Sequence, residues 1–561
     1  MTVTLTYPGV YLVETASVPY SVVPATTNLT AFVGTYAKGP TDKAMLVSSW
    51  DEFNSTYGGL VPGSLATYGV WQFFLNGGIG AWIVRIAPPG AAPATGIAGP
   101  LQLLAKSPGA WANGLYVEID PFQAGRGTSL QTLANVTVYS ASGTGAQVLE
   151  ALPNLPFPDL DTLAAAIDGR SNYVDASPVS ETAALKGTWA SPPSGPIPFP
   201  PVTQIDSQGA VLANGVDGAF ADGAAFVTAV EAQLGMSAGP SSPGAAPTPV
   251  LLDAIAPQVF NLLCIPDAAW LPADEQSGLY SMALSFCEER QAFFIVDPPP
   301  PAAAAAARTA PAWGAATVDN IGADPLALDS LTTGAWADNL LTAENYSGAT
   351  YYPWLVIPDP ANGQRPCFVP PSGTVAGLYA ATDVARGVWK APAGTAVVLQ
   401  GVSQLADRTI TDAVNGQLNI LGLNCLRTFP VYGNIVWGAR TLAGSDYAQS
   451  PYKYVPVRRL SDFIEQSLQQ SLRWAVFEPN GPTLWASITL EVGSFMAGLF
   501  SDGAFSGATA AAAYQITCDA TTTTEQDMLN GVVNVVVAFS PVEPAEFVVL
   551  NIQLTAGPAG S

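Results

Sequence analysis

Serines, cysteines and carboxylates are plentiful in this sequence, but the base that most often activates them is missing. There is no histidine among the 561 residues. Ser-His-Asp and Cys-His relays and the HExxH zinc site all need an imidazole, so all three are excluded. What stays open is a Ser-Lys or a paired-carboxylate enzyme. The five cysteines, Cys264, Cys287, Cys367, Cys425 and Cys518, stand singly, with no CxxC pair. Zinc-ribbon and thioredoxin chemistry therefore drop out, and buried thiols in a reducing compartment are the expectation. No GxxxxGK[ST] loop is present, so a P-loop motor is absent. "GGIG" at 77–80 is an incomplete dinucleotide fingerprint on the wrong side of its helix, which these glycines end rather than begin. No catalytic, cofactor-binding or metal-ligating residue is assigned.

The charge balance points to partners. With 43 acidic against 19 basic residues, the surface repels phosphate, which argues against nucleic acid or anionic lipid and for a basic or neutral protein partner. The scarce cations gather at Arg440, Lys453, Arg458, Arg459 and Arg473. Asp383 and Arg386 read as a surface pair or loop anchor, and Trp437, Trp474 and Trp485 as core aromatics. Asn28, Asn54, Asn135 and Asn345 match the glycosylation pattern by chance. The first twenty residues lack a signal-peptide pattern, and no uncharged apolar run of about twenty residues suggests a membrane span. Folding in the cytoplasm, without membrane insertion, is expected.

The elements that would position these residues follow from periodicity. Residues 1–25 read as an N-terminal arm in which "YPGVYLVET" (7–15) places a strand, Val10, Tyr11, Leu12 and Val13, behind a Pro-Gly turn. Residues 26–87 read as the first part of an α/β region. "LTAFVGTYAKGP" (29–40), "AMLVSSWDEF" (44–53) and "AWIVRIA" (81–87) give strands, and "SLATYGVWQFFLNGG" (64–78) a helix stopped by Gly77-Gly78. Residues 88–250, rich in Gly, Pro, Ser and Ala, read as an inserted, variable, mostly β outer domain with strands at "GLYVEID" (114–120) and "NVTVYS" (135–140).

Residues 251–440 return to α/β. "FNLLCIPD" (260–267), "AFFIVDPP" (292–299) and "YYPWLVIPD" (351–359) are uniformly apolar strands ending in Pro-Asp-type turns, which argues a parallel sheet covered on both faces. Residues 441–540 form a C-terminal α+β core. In "RRLSDFIEQSLQQSLRW" (458–474), Leu460, Phe463, Ile464, Leu468 and Leu472 share one stripe, with Asp462, Glu465, Gln466, Gln469 and Gln470 off it. A second helix covers 482–500, and strands follow at 531–539 and 545–554. Residues 541–561 form a C-terminal strand arm holding Phe547, Val548, Val549, Leu550, Asn551 and Ile552. A lone strand leaves backbone donors and acceptors unpaired. Two tethered strands therefore pair either with neighbouring copies, by strand addition, or within their own subunit.

Several long stretches then resemble one family. "YPGVYLVE" (7–14), "TAFVGTYAKGP" (30–40), "VPPSGTVAGLYAATDVARGVWKAPAG" (369–394), "GLNCLRTFPVYGNIVWGARTLA" (422–443), "YKYVPVRRLSDFIEQSLQQSLRWAVFEPNGPTLW" (452–485) and "VVVAFSPVEPAEFVVLNIQ" (535–553) are similar to the sheath proteins of contractile tails, shared by contractile phages, R-type pyocins and extracellular contractile injection systems. The resemblance covers about 7–86 and 260–555 and leaves out the insertion.

It implies a structural, non-enzymatic subunit with a middle domain of subtilisin-like fold that lacks catalysis. It implies hexameric rings stacked as a helical polymer on an inner tube protein, with baseplate and terminator partners, a metastable extended state and neighbours linked by exchanged terminal strands. It implies assembly in the bacterial cytoplasm, for a phage tail or an injection particle. It also implies that a C-terminal helix faces the tube, which makes Arg458, Arg459, Glu465, Gln466, Gln469 and Arg473 candidates. The other reading of the arginines is pairing with acidic neighbours inside the core. Two further functions stay open: a carboxylate-using hydrolase or lyase on the middle domain, and a static self-assembling shell.

Overall fold

A computed structural model describes residues 21–126, 129–140, 146–179, 208–235, 260–301, 335–407 and 410–547. The chain forms two compact units, residues 28–384 with 392–453, and residues 1–27 with 385–391 and 454–561.

The larger unit is a mixed α/β body on an eight-stranded sheet. Its strands are β1 (Leu29–Gly34), β2 (Met45–Val47), β3 (Gly80–Arg85), β11 (Leu262–Cys264), β12 (Phe293–Val296), β13 (Gly348–Tyr352), β17 (Asn424–Phe429) and β18 (Gly433–Val436), in the order β18-β17-β13-β12-β11-β1-β3-β2. The six strands from β17 to β3 are parallel, with Ala31 opposite Leu263 and Trp82, and Ile295 opposite Ala349. The two edges, β18 and β2, are antiparallel. Central strands such as Phe293–Val296 are buried along their whole length, the pattern of a sheet covered on both faces.

Local chemistry sets the helices. In α1 (Trp50–Tyr57), Ser49 accepts from the Glu52 N–H while the Glu52 carboxylate takes the Ser48 N–H and hydroxyl. This Ser-x-x-Glu cap starts a helix where an uninterrupted strand was expected, so the strand at 44–53 shrinks to β2. Ser64 caps α2 (Leu65–Leu75), which ends at Asn76 with Gly77 at φ 95°, as expected. The run 351–359 also divides. Tyr351 and Tyr352 finish β13, while β14 (Leu355–Asp359) joins β15 (Arg365–Val369) and β16 (Gln404–Leu405) in a separate antiparallel sheet. Pro353 has no N–H to continue the first ladder.

The stretch after β3 carries β4 (Thr95–Ala98), β5 (Leu101–Ala105), β6 (Tyr116–Arg126), β7 (Ser129–Tyr139), β8 (Val148–Pro156), α3 (Leu160–Asp168), β9 (Val174–Pro178) and β10 (Gln208–Val211). They form two antiparallel sheets, β10-β6-β7-β8 and β4-β5-β9, around a core of their own that includes Leu103, Val117, Val136 and Ile167. By contrast α4 (Gly223–Leu234) buries Phe226 and Val230 in the core of the large sheet, with Trp270 and Leu279 of the segment leading into and through α5 (Ala273–Glu289). The buried Arg85 donates to the carbonyls of Tyr36, Gly39 and Pro108, joining the β1–β2 loop to the segment after β5.

After α6 (Ala335–Leu340), α7 (Ser372–Arg386) packs backbone-close on α2. A Cβ on Gly373 would lie 2.2 Å from the Gly69 carbonyl oxygen. α8 (Asp412–Ile420) precedes β17.

The smaller unit holds α9 (Val455–Ser471) and α10 (Pro482–Ser501), which bury Leu460, Ile464, Leu484, Trp485, Ile488 and Val492 against one another. A two-stranded antiparallel sheet, β19 (Tyr514–Thr517) with β20 (Val536–Phe539), completes its described part. β19 was not foreseen, and β20 is shorter than the strand expected over 531–539. By length and composition alone α10 could cross a membrane. Here its apolar stripe is core, and Glu491 on it accepts from the Trp474 indole at 2.7 Å.

Candidate functional site

The six candidates on and beyond α9 divide by burial. Arg458, Arg459 and Gln466 are buried. Glu465, Gln469 and Arg473 are exposed and recur one turn apart on a single face. Burial of the first group has a cause in the spacing. Asp462 lies one turn after Arg458, and the two side chains pair at 2.6 Å, each about 93% removed from solvent. Burial pushes the Asp462 carboxyl up to about 7, and the positive charges of Arg458 and Arg459 pull it back down. Asp462 and Gln466, expected on a polar face, are therefore interior groups. Their signal is the Arg-x-x-x-Asp spacing, which lets a pair enter a core that neither residue could enter alone. Arg459 donates to the Thr27 carbonyl at 2.8 Å, so it too serves the interior of the unit.

Just beyond Arg473 the chain makes a tight turn, closed by the Val476 N–H on the Arg473 carbonyl and the Glu478 N–H on the Ala475 carbonyl. The turn holds Phe477 at φ 71° with its ring fully exposed. A bulky residue in the left-handed region is strained, and a fully solvated phenyl ring adds a hydrophobic cost. Val476 beside it, and Leu490, Leu529 and Val536 on the same unit, are also exposed. Sequence reasoning missed Phe477. The "AVFEPNGP" turn between two amphipathic helices was its only trace.

Of the two strand arms, Val10, Tyr11, Leu12 and Val13 lie outside the described residues, as do Val548, Val549, Leu550, Asn551 and Ile552. Phe547 is described and is 77% exposed. Among the described residues neither β19 nor β20 has a second neighbour, so each offers an outer edge of backbone donors and acceptors.

The carboxylates at the ends of the apolar strands serve structure. Asp267 accepts from the Thr35 N–H and hydroxyl and the Ala66 N–H at the start of α2. Asp297 accepts from the Ser372 N–H at 2.8 Å and its hydroxyl at 2.6 Å, at the start of α7. Asp359 accepts from the Tyr68 hydroxyl and the Ala361 N–H. The three Pro-Asp-type turns that read as strand ends are thus also anchors for helix N-termini and a tyrosine. Burial pushes Asp297 up to about 7 and raises Asp267 as well.

A Ser-x-x-Lys spacing at Ser450–Lys453 escapes the sequence reading. There the Lys453 ammonium pairs with Asp446 at 2.6 Å and the Ser450 hydroxyl accepts from the Tyr452 N–H, so it is a turn and not a nucleophile with its base. Among the described residues no group of His, Cys, Asp and Glu is arranged to hold a metal ion. Asp383 is buried and Arg386 exposed near the end of α7. Trp474 and Trp485 pack in the core of the smaller unit. Trp437, expected in a core, is 38% exposed and lies against Phe429.

Comparison with known proteins gives these surfaces a context. The phage tail sheath protein central domain matches residues 245–442, and the phage tail sheath C-terminal domain matches 448–555, together more than half of the chain. The chain belongs to the phage tail sheath family. A curated relative, the tail sheath protein of Vibrio phage KVP40, is 27% identical over 130 residues, which is 23% of this chain and 19% of that protein. The chain thus matches only about a fifth of that sheath protein's length.

Three solved structures align over more than nine-tenths of both chains. The baseplate of the anti-feeding prophage in its contracted state gives a TM-score of 0.57 at 18% identity, covering 98% of this chain and 99% of that one. The helical sheath of the same particle, contracted, gives 0.52 at 21%, covering 98% and 99%. The sheath tail protein of Listeria innocua gives 0.54 at 12%, covering 93% and 96%. Likeness at these identities establishes a shared fold, which is therefore that of sheath proteins.

Proposed function

We propose that this chain is the structural subunit of a contractile tail sheath. It acts without catalysis, as hexameric rings stacked helically around an inner tube protein and bounded by baseplate and terminator proteins. The observation that carries the reading is the two-stranded β19–β20 sheet. Among the described residues its outer edges have no strand neighbour, and the sequence holds an apolar run near each end, Val10–Val13 and Phe547–Ile552. A second copy's Val10–Val13 and Phe547–Ile552 are the complementary parts, and backbone ladders accept them whatever the side chains. Exchange of this kind keeps subunits linked while they move. Such a machine stores its energy in a metastable packing that relaxes to one burying more surface.

On the tube side, the exposed stripe Glu465, Gln469 and Arg473 is the contact, and Arg458, Arg459 and Gln466 support it from inside. Exposed polar pairs are weak, which suits a sheath that must slide off its tube. We take the parallel sheet as the subtilisin-like layer and, within the 88–250 stretch, the two antiparallel sheets between Thr95 and Val211 as the variable outer domain, since α4 packs in the core of the large sheet. The particle, a phage tail or a free injection system, assembles in the bacterial cytoplasm.

Electron microscopy of the assembled protein is the test. The full chain forms hollow cylinders in a long and a short form, and a variant lacking residues 1–15 folds but forms no long cylinders. Cylinders of a single length under all conditions point to a static shell, and a dispersed monomer overturns the reading.

A further inference from the structure

Before it enters β1, the chain lies along α9 in antiparallel direction. The Val23 N–H donates to the Ser471 hydroxyl at 2.9 Å, and the Ala25 N–H donates to the Ser467 hydroxyl at 2.9 Å. Four residues further toward the N-terminus of α9 than Phe463, Arg459 donates to the Thr27 carbonyl at 2.8 Å. The spacings fit. Ser467 to Ser471 is four helical residues, about 6 Å, and Val23 to Ala25 is two extended residues, about 6.6 Å. Pro24, which has no N–H to leave unpaired, falls between the two donors. The serine hydroxyls are free to accept because they donate elsewhere: Ser467 to the Phe463 carbonyl at 2.6 Å, and Ser471 back to the Val23 carbonyl at 3.5 Å.

The holding strength is graded. The outer rung is neutral, and Val23 is 67% exposed. The inner rung is made by a buried guanidinium, and charge-assisted bonds are roughly twice as strong as neutral ones. Such a strap opens from the Ser471 end and stays fixed at Arg459.

We infer that residues 23–27 are a releasable strap that lengthens the N-terminal arm when the subunit moves. Its occupant on α9 is this chain's own tether. Peeling from Val23 to Thr27 frees about 13 Å of extended chain and draws the arm's anchor toward the N-terminus of α9 by up to the same distance. A donated strand keeps its seat in a neighbouring copy while the donor travels by that distance. This rests on the sheath reading.

The test is a disulfide lock, Val23→Cys with Ser471→Cys, in the full chain within assembled particles. The 2.9 Å N-to-Oγ contact puts the two α-carbons within bridging range. Reduced particles should assemble long cylinders and shorten when contraction is provoked by brief urea exposure. Oxidised particles should assemble the same long cylinders and fail to shorten, with reductant restoring contraction. Oxidised cylinders that shorten as fully as reduced ones overturn the strap and leave the sheath reading intact. Wild-type chains that form no cylinders overturn the sheath reading, and the strap with it. Hydrogen exchange provides a second readout that needs no substitution. The Val23 and Ala25 amides should exchange slowly in long cylinders and rapidly in short ones, and equal protection in both states overturns the proposal.

Discussion

Asp297 offers a sharp test of how the large sheet is held to its helices. It is buried without a cation, its two oxygens bound to the Ser372 N–H and hydroxyl, and burial moves its pKa from the ordinary 3.8 to about 7. The folded form therefore binds the proton more tightly than the unfolded chain does. Linkage then makes its contribution to stability largest below the unfolded value, and that contribution is lost as pH rises through about 7. A displacement of this size corresponds to about 4 kcal/mol in all, of which about 2 kcal/mol falls between pH 5.5 and 7.5. Substitution Asp297→Asn keeps the shape and an acceptor but removes the proton. Urea unfolding at the two pH values, followed by tryptophan fluorescence, gives the difference directly. Other groups titrate too: Asp462 and Asp267 in the same direction, and Glu52 and Asp446, whose pKa values are lowered, in the opposite one. Comparing wild type with variant cancels them. The wild type should gain about 2 kcal/mol more than Asp297→Asn on acidification. Equal gains refute the claim that a desolvated carboxylate sits under α7.

Four further outcomes follow from the packing. Phe477→Gly should stabilise the isolated subunit by about 1 kcal/mol, because glycine relieves the φ of 71°. It should also raise the concentration needed for cylinders, measured by sedimentation, because the exposed ring is lost. Ile488→Ala, in the α9–α10 core, should cost 2–5 kcal/mol in urea unfolding, roughly the range for truncating a buried aliphatic side chain. Gly373→Ala places a methyl 2.2 Å from the Gly69 carbonyl oxygen and should cost about 3 kcal/mol or prevent folding. Gly278→Ala in α5, with open space at its Cβ, should instead stabilise by about 0.5–1 kcal/mol, read from the same unfolding curves.

The parallel sheet was legible because its strands are buried throughout. Phe293–Val296 and Leu262–Cys264 cannot be amphipathic, and a run of apolar β-formers with no polar alternation has few other homes. Two errors in the same region share one origin, a chain direction changed by a single residue. Ser49 starts a helix inside an apolar stretch, and Pro353 ends a ladder inside another. In both cases hydrophobic pattern gave the environment correctly and local hydrogen-bond chemistry chose the element. The close approach of α2 and α7 also had a sequence signal, the Gly-x-x-x-Gly of 373–377. That signal acquires meaning only when the partner, Gly69 more than three hundred positions away, is known.

The candidate site was less legible, for a reason rooted in what a polymer subunit does. An enzyme concentrates function in a few polar groups whose types announce their chemistry. An assembling subunit distributes it over backbone edges, which carry no residue signature, and over exposed apolar side chains, which read from sequence as core. Phe477 is the clearest case, since composition alone places a phenylalanine between two amphipathic helices inside the fold. Conversely Asp462 and Gln466 read as a polar face and are interior, and of the two readings open for Arg458 and Arg459 the structure shows burial, with Arg458 on Asp462 one turn away and Arg459 on the Thr27 carbonyl of the tether. The strap on α9 combines both effects. Its rungs are serines, which carry no prediction by themselves, and its partner is backbone, so only the coincidence of a four-residue helical step with a two-residue extended step reveals it. The serine rungs hold the tether weakly enough to release it, and Arg459 holds it strongly enough to keep its place, so the surface most able to do work in this chain is one that residue type hides.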